Sequence, residues 1–134
     1  MNKKSAIALV TLFTLAMPMM ASVQRHEVEH HQRKEMRDKF RPKAMHDKDF
    51  SMMCKVVEDA SFPDKMIGVI KVACISSYFT SKQCAQLLSM FSFENDKLKA
   101  LKVLHPRMLD IDAKPILKQF TFSDNKDKAI EILL

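Results

Sequence analysis

The side chains best suited to chemistry fall into three groups. His26, His30 and His31 stand together, with Glu27 and Glu29 between them. On a helix, His26 and His30 would share a face at spacing i, i+4, where two imidazoles can bind zinc, copper or nickel. The spacing matches no structural zinc motif and no third fixed ligand is evident, so a solvated charged segment is the competing reading. The second group is the three cysteines, Cys54, Cys74 and Cys84. In an oxidising compartment cysteines pair, and an odd number leaves one over. Cys74 and Cys84 lie at similar distances from the turn between them, so an antiparallel helix pair can bring them together as a disulfide. The competing reading is three small core residues. No Cys-x-x-Cys is present to suggest a redox enzyme.

The third group is Lys65, Lys97 and Lys126, which recur at the start of three predicted helices. They either line an anion-binding interaction stripe or are exposed flanks that lay their stems over phenylalanines. Nothing else has the form of an active site. The single glycine, Gly68, excludes a Gly-rich phosphate loop. Acidic residues are scattered at helix starts, where they offset the helix dipole. No nucleophile motif frames the serines. We therefore assign no catalytic residue and no cofactor. The formal net charge is +6, with both signs interleaved along the chain. That pattern, and the expected export, argue against a nucleic-acid partner.

The elements that must position these residues are written in a repeat. Phe62, Phe93 and Phe122 mark three copies spaced by about 30 residues, a period of stacked helical hairpins. After the markers come Val69, Ile70, Val72 and Ala73; Ala100, Leu101, Val103 and Leu104; and Ala129, Ile130, Ile132 and Leu133. Before them come Met53, Val56, Val57 and Ala60; Cys84, Leu87, Leu88 and Phe91; and Ala113, Ile116, Leu117 and Phe120. Apolar positions at these spacings share one helical face. Each copy is thus a helix, a turn and a second helix. Thr80 and Gln83 form a capping box, and Asp49 and Asp112 suit the N-cap. Pro115 falls in a first turn, where its missing N–H costs little. Phe93 is placed to staple onto Leu98. The expected fold is all-α: three antiparallel hairpins of about six short helices, stacked as a small solenoid-like bundle. Its terminal helices should be the atypical, capping ones.

Composition divides the chain into three. Residues 1–22 read as a secretory signal peptide, with Lys3 and Lys4, an apolar run from Ser5 to Met17, then Pro18 and small residues at Ala21 and Ser22. The run is short for a membrane span, so no stable insertion is expected once it is cleaved. Residues 23–49 read as a charged, His-rich, mobile linker, transiently helical near 25–39. Residues 50–134 read as the helical-repeat domain.

This domain resembles the family called domain of unknown function 4476. The resemblance rests on Ser61-Phe62-x-Asp64-Lys65, Phe79-Thr80-x-x-Gln83, Phe91-x-Phe93-x-x-x-Lys97-Leu98, His105-Pro106-x-x-x-Asp110 and Phe120-x-Phe122. It implies a compact helical module at the end of an exported chain and supplies no catalytic residues. The functional expectation is a non-enzymatic module, periplasmic or secreted, that binds an unknown protein or peptide. The alternative is a periplasmic stress- or metal-responsive chaperone. Phe79-Thr80-x-x-Gln83 is similar to the Leu-Thr-x-x-Gln motif of the Spy and CpxP proteins.

Overall fold

The computed structural model describes residues 23–134. The expected signal peptide, residues 1–22, lies outside them. Residues 23–40 form helix α1, exposed along its whole length. Its sequence explains a helix without a core: Glu29 precedes Arg33 and Glu35 precedes Lys39 by four residues, the favourable order for acid–base pairs. His31 and Glu35 lie 3.4 Å apart at the same spacing. The segment expected to be a linker is therefore helical over 23–40.

The compact unit begins at Pro42 and runs to Leu134. Met45 donates its backbone N–H to Tyr78 O at 2.7 Å, and Ala44 pairs with Tyr78 in a parallel bridge. Main-chain groups make this attachment, and every residue has them, so side-chain composition carries no trace of it.

Six further helices follow: α2 (Asp47–Asp59), α3 (Pro63–Ser76), α4 (Ser81–Ser89), α5 (Glu94–Leu104), α6 (Ala113–Leu117) and α7 (Ser123–Leu133). A short 3-10 turn, His105–Arg107, follows α5. No strand occurs among the described residues. The helices pair as α2–α3, α4–α5 and α6–α7; α3 packs on α5, α5 on α7, and α4 on α6. The lead-in segments run side by side in parallel, through the bridges Ala44–Tyr78 and Phe79–Met108. The hairpins are thus repeated in one sense along the stack, as the repeat predicts.

Burial follows the apolar stripes most closely in the middle hairpin. Cys84, Leu87, Leu88, Phe91, Ala100, Leu101 and Leu104 are all buried. In the outer hairpins one side of each stripe opens. Val56 is 53% exposed where Leu87 and Ile116 are fully buried, Val72 is 67% exposed, and Ile130 is 38% exposed. These three were expected to be buried. The reason is positional, since a terminal repeat has a neighbour on one side only.

The two ends of the stack differ in chemistry. At the last hairpin, Lys114 and Asp127 are exposed. They occupy the positions that Cys54 and Ala85, and Ile67 and Leu98, bury in the preceding copies. That end is a polar cap. At the first hairpin Val56 and Val72 remain aliphatic. Gly68, one turn before Val72 in α3, has no positive φ, and a Cβ added there meets nothing within 4 Å. A glycine inside a helix costs about 0.5–1 kcal/mol relative to alanine, and no contact among the described residues accounts for it.

Candidate functional site

The residues carrying the sequence motifs converge on two places, the start of α4 and the hairpin turns. Thr80 caps α4 as expected: its hydroxyl accepts from Gln83 N at 3.2 Å, and Gln83 Oε1 accepts from Thr80 N at 3.0 Å. The Gln83 amide then donates to Met45 O at 2.8 Å, tying α4 to the segment before α2. Ser81, fully buried, donates its backbone N–H to Asp110 Oδ1 at 2.7 Å. Its hydroxyl donates to Asp110 O at 2.6 Å and accepts from Asp112 N at 2.9 Å. Asp110 thereby serves the helix start of α4 from 29 residues away. Phe79 is fully buried and meets Phe50 edge-on, with ring centroids 6.4 Å apart.

This network has no spare valence. Among the described residues no buried side-chain nitrogen or oxygen lacks a partner. The Phe79-Thr80-x-x-Gln83 and Asp110 motifs are engaged in joining the repeats. Asp112 caps α6 by accepting from Lys114 N at 3.0 Å. For α2 the N-cap is His46, accepting from Lys48 N at 3.4 Å. Asp49, expected to be that cap, instead lies in the first turn, where its charge still opposes the dipole.

The hairpin turns are different. Phe62, Phe93 and Phe122 are the N-cap residues of α3, α5 and α7, and none makes a side-chain cap. They are 64%, 71% and 66% exposed. Phe93, expected to staple onto Leu98, thus leaves most of its ring in water. Each carbonyl accepts from the next turn of its helix, so the backbone is used and the ring is not. In Phe91-x-Phe93 and Phe120-x-Phe122 the first ring is buried and the second faces water. Because the repeats run in one sense, the three turns fall along one edge of the stack.

The lysines beside these rings divide. Lys65 Nζ sits 5.4 Å from the centroid of Phe62, a cation–π placement. Lys97 Nζ donates to Gln119 O at 2.8 Å and joins α5 to the end of α6. Lys126 is half-buried at the start of α7. Sequence equivalence thus does not give the three lysines one shared environment.

Glu94 is a residue the sequence reading passed over. One carboxylate oxygen accepts from Thr121 N, and the other accepts from Asn125 Nδ2 at 2.6 Å. The acid of one repeat thus caps the next. Desolvation pushes the Glu94 pKa up, but the Asn125 side chain and the Thr121 and Phe122 N–H groups outweigh it and hold the value below 4.5. A carboxylate with a depressed folded-state pKa stabilises the fold above its unfolded value. That contribution fades as pH falls through the folded one. The thermal midpoint should therefore drop more steeply below pH about 4.5 for wild type than for Glu94→Gln. Parallel acid profiles for the two proteins would refute this assignment.

The cysteines are all buried and are free thiols. Cys74 lies near enough to Cys84 to influence it electrostatically. Burial pushes all three thiols up, Cys84 to about 12, where nearby Cys74 and Asp110 add to the shift. Thiol exchange proceeds through the thiolate, so these groups are poor nucleophiles in the folded chain.

His26, His30 and His31 sit on α1. His26 and His30 share a face beside Val23 and Glu27, and His31 pairs with Glu35. Among the described residues no three His, Cys, Asp or Glu side chains gather as metal ligands. The face offers two imidazoles on one exposed helix.

The fold is thus an all-helical stack of hairpins whose motif residues mostly hold the repeats together. The chain belongs to the family described as Domain of unknown function (DUF4476), whose model matches residues 44–133. That match begins within two residues of the compact unit's own start at Pro42. No solved structure matches the chain. No helix among the described residues is long and apolar enough to cross a membrane.

Proposed function

We propose that this protein is a non-enzymatic interaction module that works outside the cytoplasm and binds another protein or peptide. The observation that carries this reading is the aromatic edge formed by Phe62, Phe93 and Phe122. Three rings at equivalent turns remain largely in water, and none of them caps its helix. Exposed aromatic side chains that recur in register supply large apolar contact at low entropic cost, which suits recognition rather than catalysis. Export rests on the basic, apolar and small-residue pattern of residues 1–22.

The test is affinity capture from the native envelope fraction, in parallel with wild type and with the triple variant Phe62→Ser, Phe93→Ser, Phe122→Ser. The rings are exposed, so the variant should keep its helical content and thermal midpoint. A partner held by wild type and lost by the variant is the expected result. No reproducible partner, or equal capture by both, would overturn the reading. An aggregation assay with a model client addresses the chaperone alternative: suppression at equimolar protein that survives the triple variant would favour it.

A further inference from the structure

We infer that α1 carries a binding site for a divalent transition-metal ion, held by the imidazoles of His26 and His30, with water completing the coordination shell. The inference is independent of the aromatic edge.

Histidine is concentrated on α1 beyond what a helix needs. Three of the five histidines fall within residues 26–31. Histidine is a middling helix former, and the pairs Glu29–Arg33 and Glu35–Lys39 support the helix without it. His26-Glu27-Val28-Glu29-His30 has the His-Glu-x-x-His form. On a helix this form sets two imidazoles on one side, a turn apart, and it is a zinc-ligand pair in metalloproteases. A structural zinc site needs four protein donors, which this stretch does not supply. A helical pair that leaves positions open is a different kind of site.

The structure supplies the geometry that the form requires. Residues 23–40 are helical, and His26 and His30 line one hollow with Val23 and Glu27. Side chains four apart on a helix have Cβ atoms about 5–6 Å apart. Two rings at that separation can converge on one ion at a metal–nitrogen length of about 2.0–2.1 Å. Both are exposed, so an ion reaches them without being buried. Glu27 lines the same hollow, which sets a carboxylate beside the incoming positive charge.

The other histidines are placed differently. His31 lies 3.4 Å from Glu35 on an adjoining side of α1. His46 caps α2 through its Nδ1, and His105 stands in the 3-10 turn after α5. Geometry rather than number therefore singles out His26 and His30.

No third protein donor gathers with them among the described residues. Catalytic zinc sites have three protein ligands, so this pair binds an ion and no hydrolytic step is assigned to it. Imidazole suits copper, nickel and zinc, and copper is the tightest of the three in the general order of divalent affinities. α1 is exposed along its whole length, so it is held by local interactions. A chelate that requires the i, i+4 spacing binds the helical form over the unfolded one and thereby stabilises the helix.

The experiment is isothermal titration of tag-free protein with Zn2+, Ni2+ and Cu2+ in turn, for wild type and four variants. Wild type should take up one ion per chain at its tightest site, with Cu2+ bound most strongly. His26→Ala and His30→Ala should each weaken binding by about tenfold or more, and His31→Ala should bind as wild type does. Val28→Pro keeps every imidazole but breaks the helix between the pair, so it should lose affinity as the His26 and His30 variants do. Saturating Zn2+ should raise the helical signal of wild type and leave that of His26→Ala unchanged. No saturable uptake by wild type overturns the proposal. So does binding that survives both His26→Ala and His30→Ala, or that Val28→Pro leaves intact, because the ion would then sit elsewhere or need no helix. An equal loss in His31→Ala would reassign the ligands and overturn the pair.

Discussion

Leu101→Ala is expected to lower the unfolding free energy by about 2–5 kcal/mol, the range for truncating a fully enclosed leucine. Leu101 is fully buried in α5, the helix that packs on both α3 and α7 and pairs with α4. Neighbours on every side limit how far the site can collapse into the space left by the side chain, so the cavity penalty adds to the lost transfer energy. Small domains are typically stable by about 5–15 kcal/mol, so this one change removes a large share. Chemical denaturation monitored by helical signal gives the number. A loss below about 0.5 kcal/mol, the range of ordinary surface changes, would mean that α5 is not the centre of the core.

Ser81→Ala is expected to cost about 1–3 kcal/mol, through polar groups rather than volume. The hydroxyl satisfies Asp110 O and Asp112 N together. Alanine fits the space but removes two part-buried hydrogen bonds, each worth about 0.5–1.5 kcal/mol net. The Ser81 backbone bond to Asp110 Oδ1 survives the substitution, which separates the hydroxyl's contribution from that of the cap. Equilibrium unfolding should show a lower midpoint with an unchanged denaturant slope, since the same surface is exposed on unfolding. A loss below about 0.5 kcal/mol would show that the two groups find other partners.

Both predictions concern residues whose importance was unequally visible in the sequence. Leu101 belongs to a stripe spaced for a helical face, and that spacing reports burial because a helix turns by a fixed angle at each residue. The three hairpins, the Thr80–Gln83 box and the Asp112 cap were legible for the same reason: each depends on residues within one or two turns of each other. Ser81 carries no such signal. Its partners are 29 and 31 residues away, and only the stacking of α4 against the segment after α5 brings them within reach. Glu94 belongs to the same class, since its partners Thr121 and Asn125 are on the next repeat.

The sequence by itself determined the helical class, the number of hairpins in the compact unit and the apolar lines along them, because local geometry fixes all three. It could not decide which of those lines would be covered. Val56 and Leu87 stand at equivalent places in their repeats, yet one faces water and the other is enclosed, because only the second has a repeat stacked on that side. The marker phenylalanines show the same limit: the two rings of Phe91-x-Phe93 have equal apolar character, and the turn sends one inward and the other out. The start of the compact unit at Pro42 was likewise a tertiary outcome. It depends on main-chain bonds to Tyr78 and on the reach of Gln83 to Met45, groups whose pairing exists only once the hairpins have stacked.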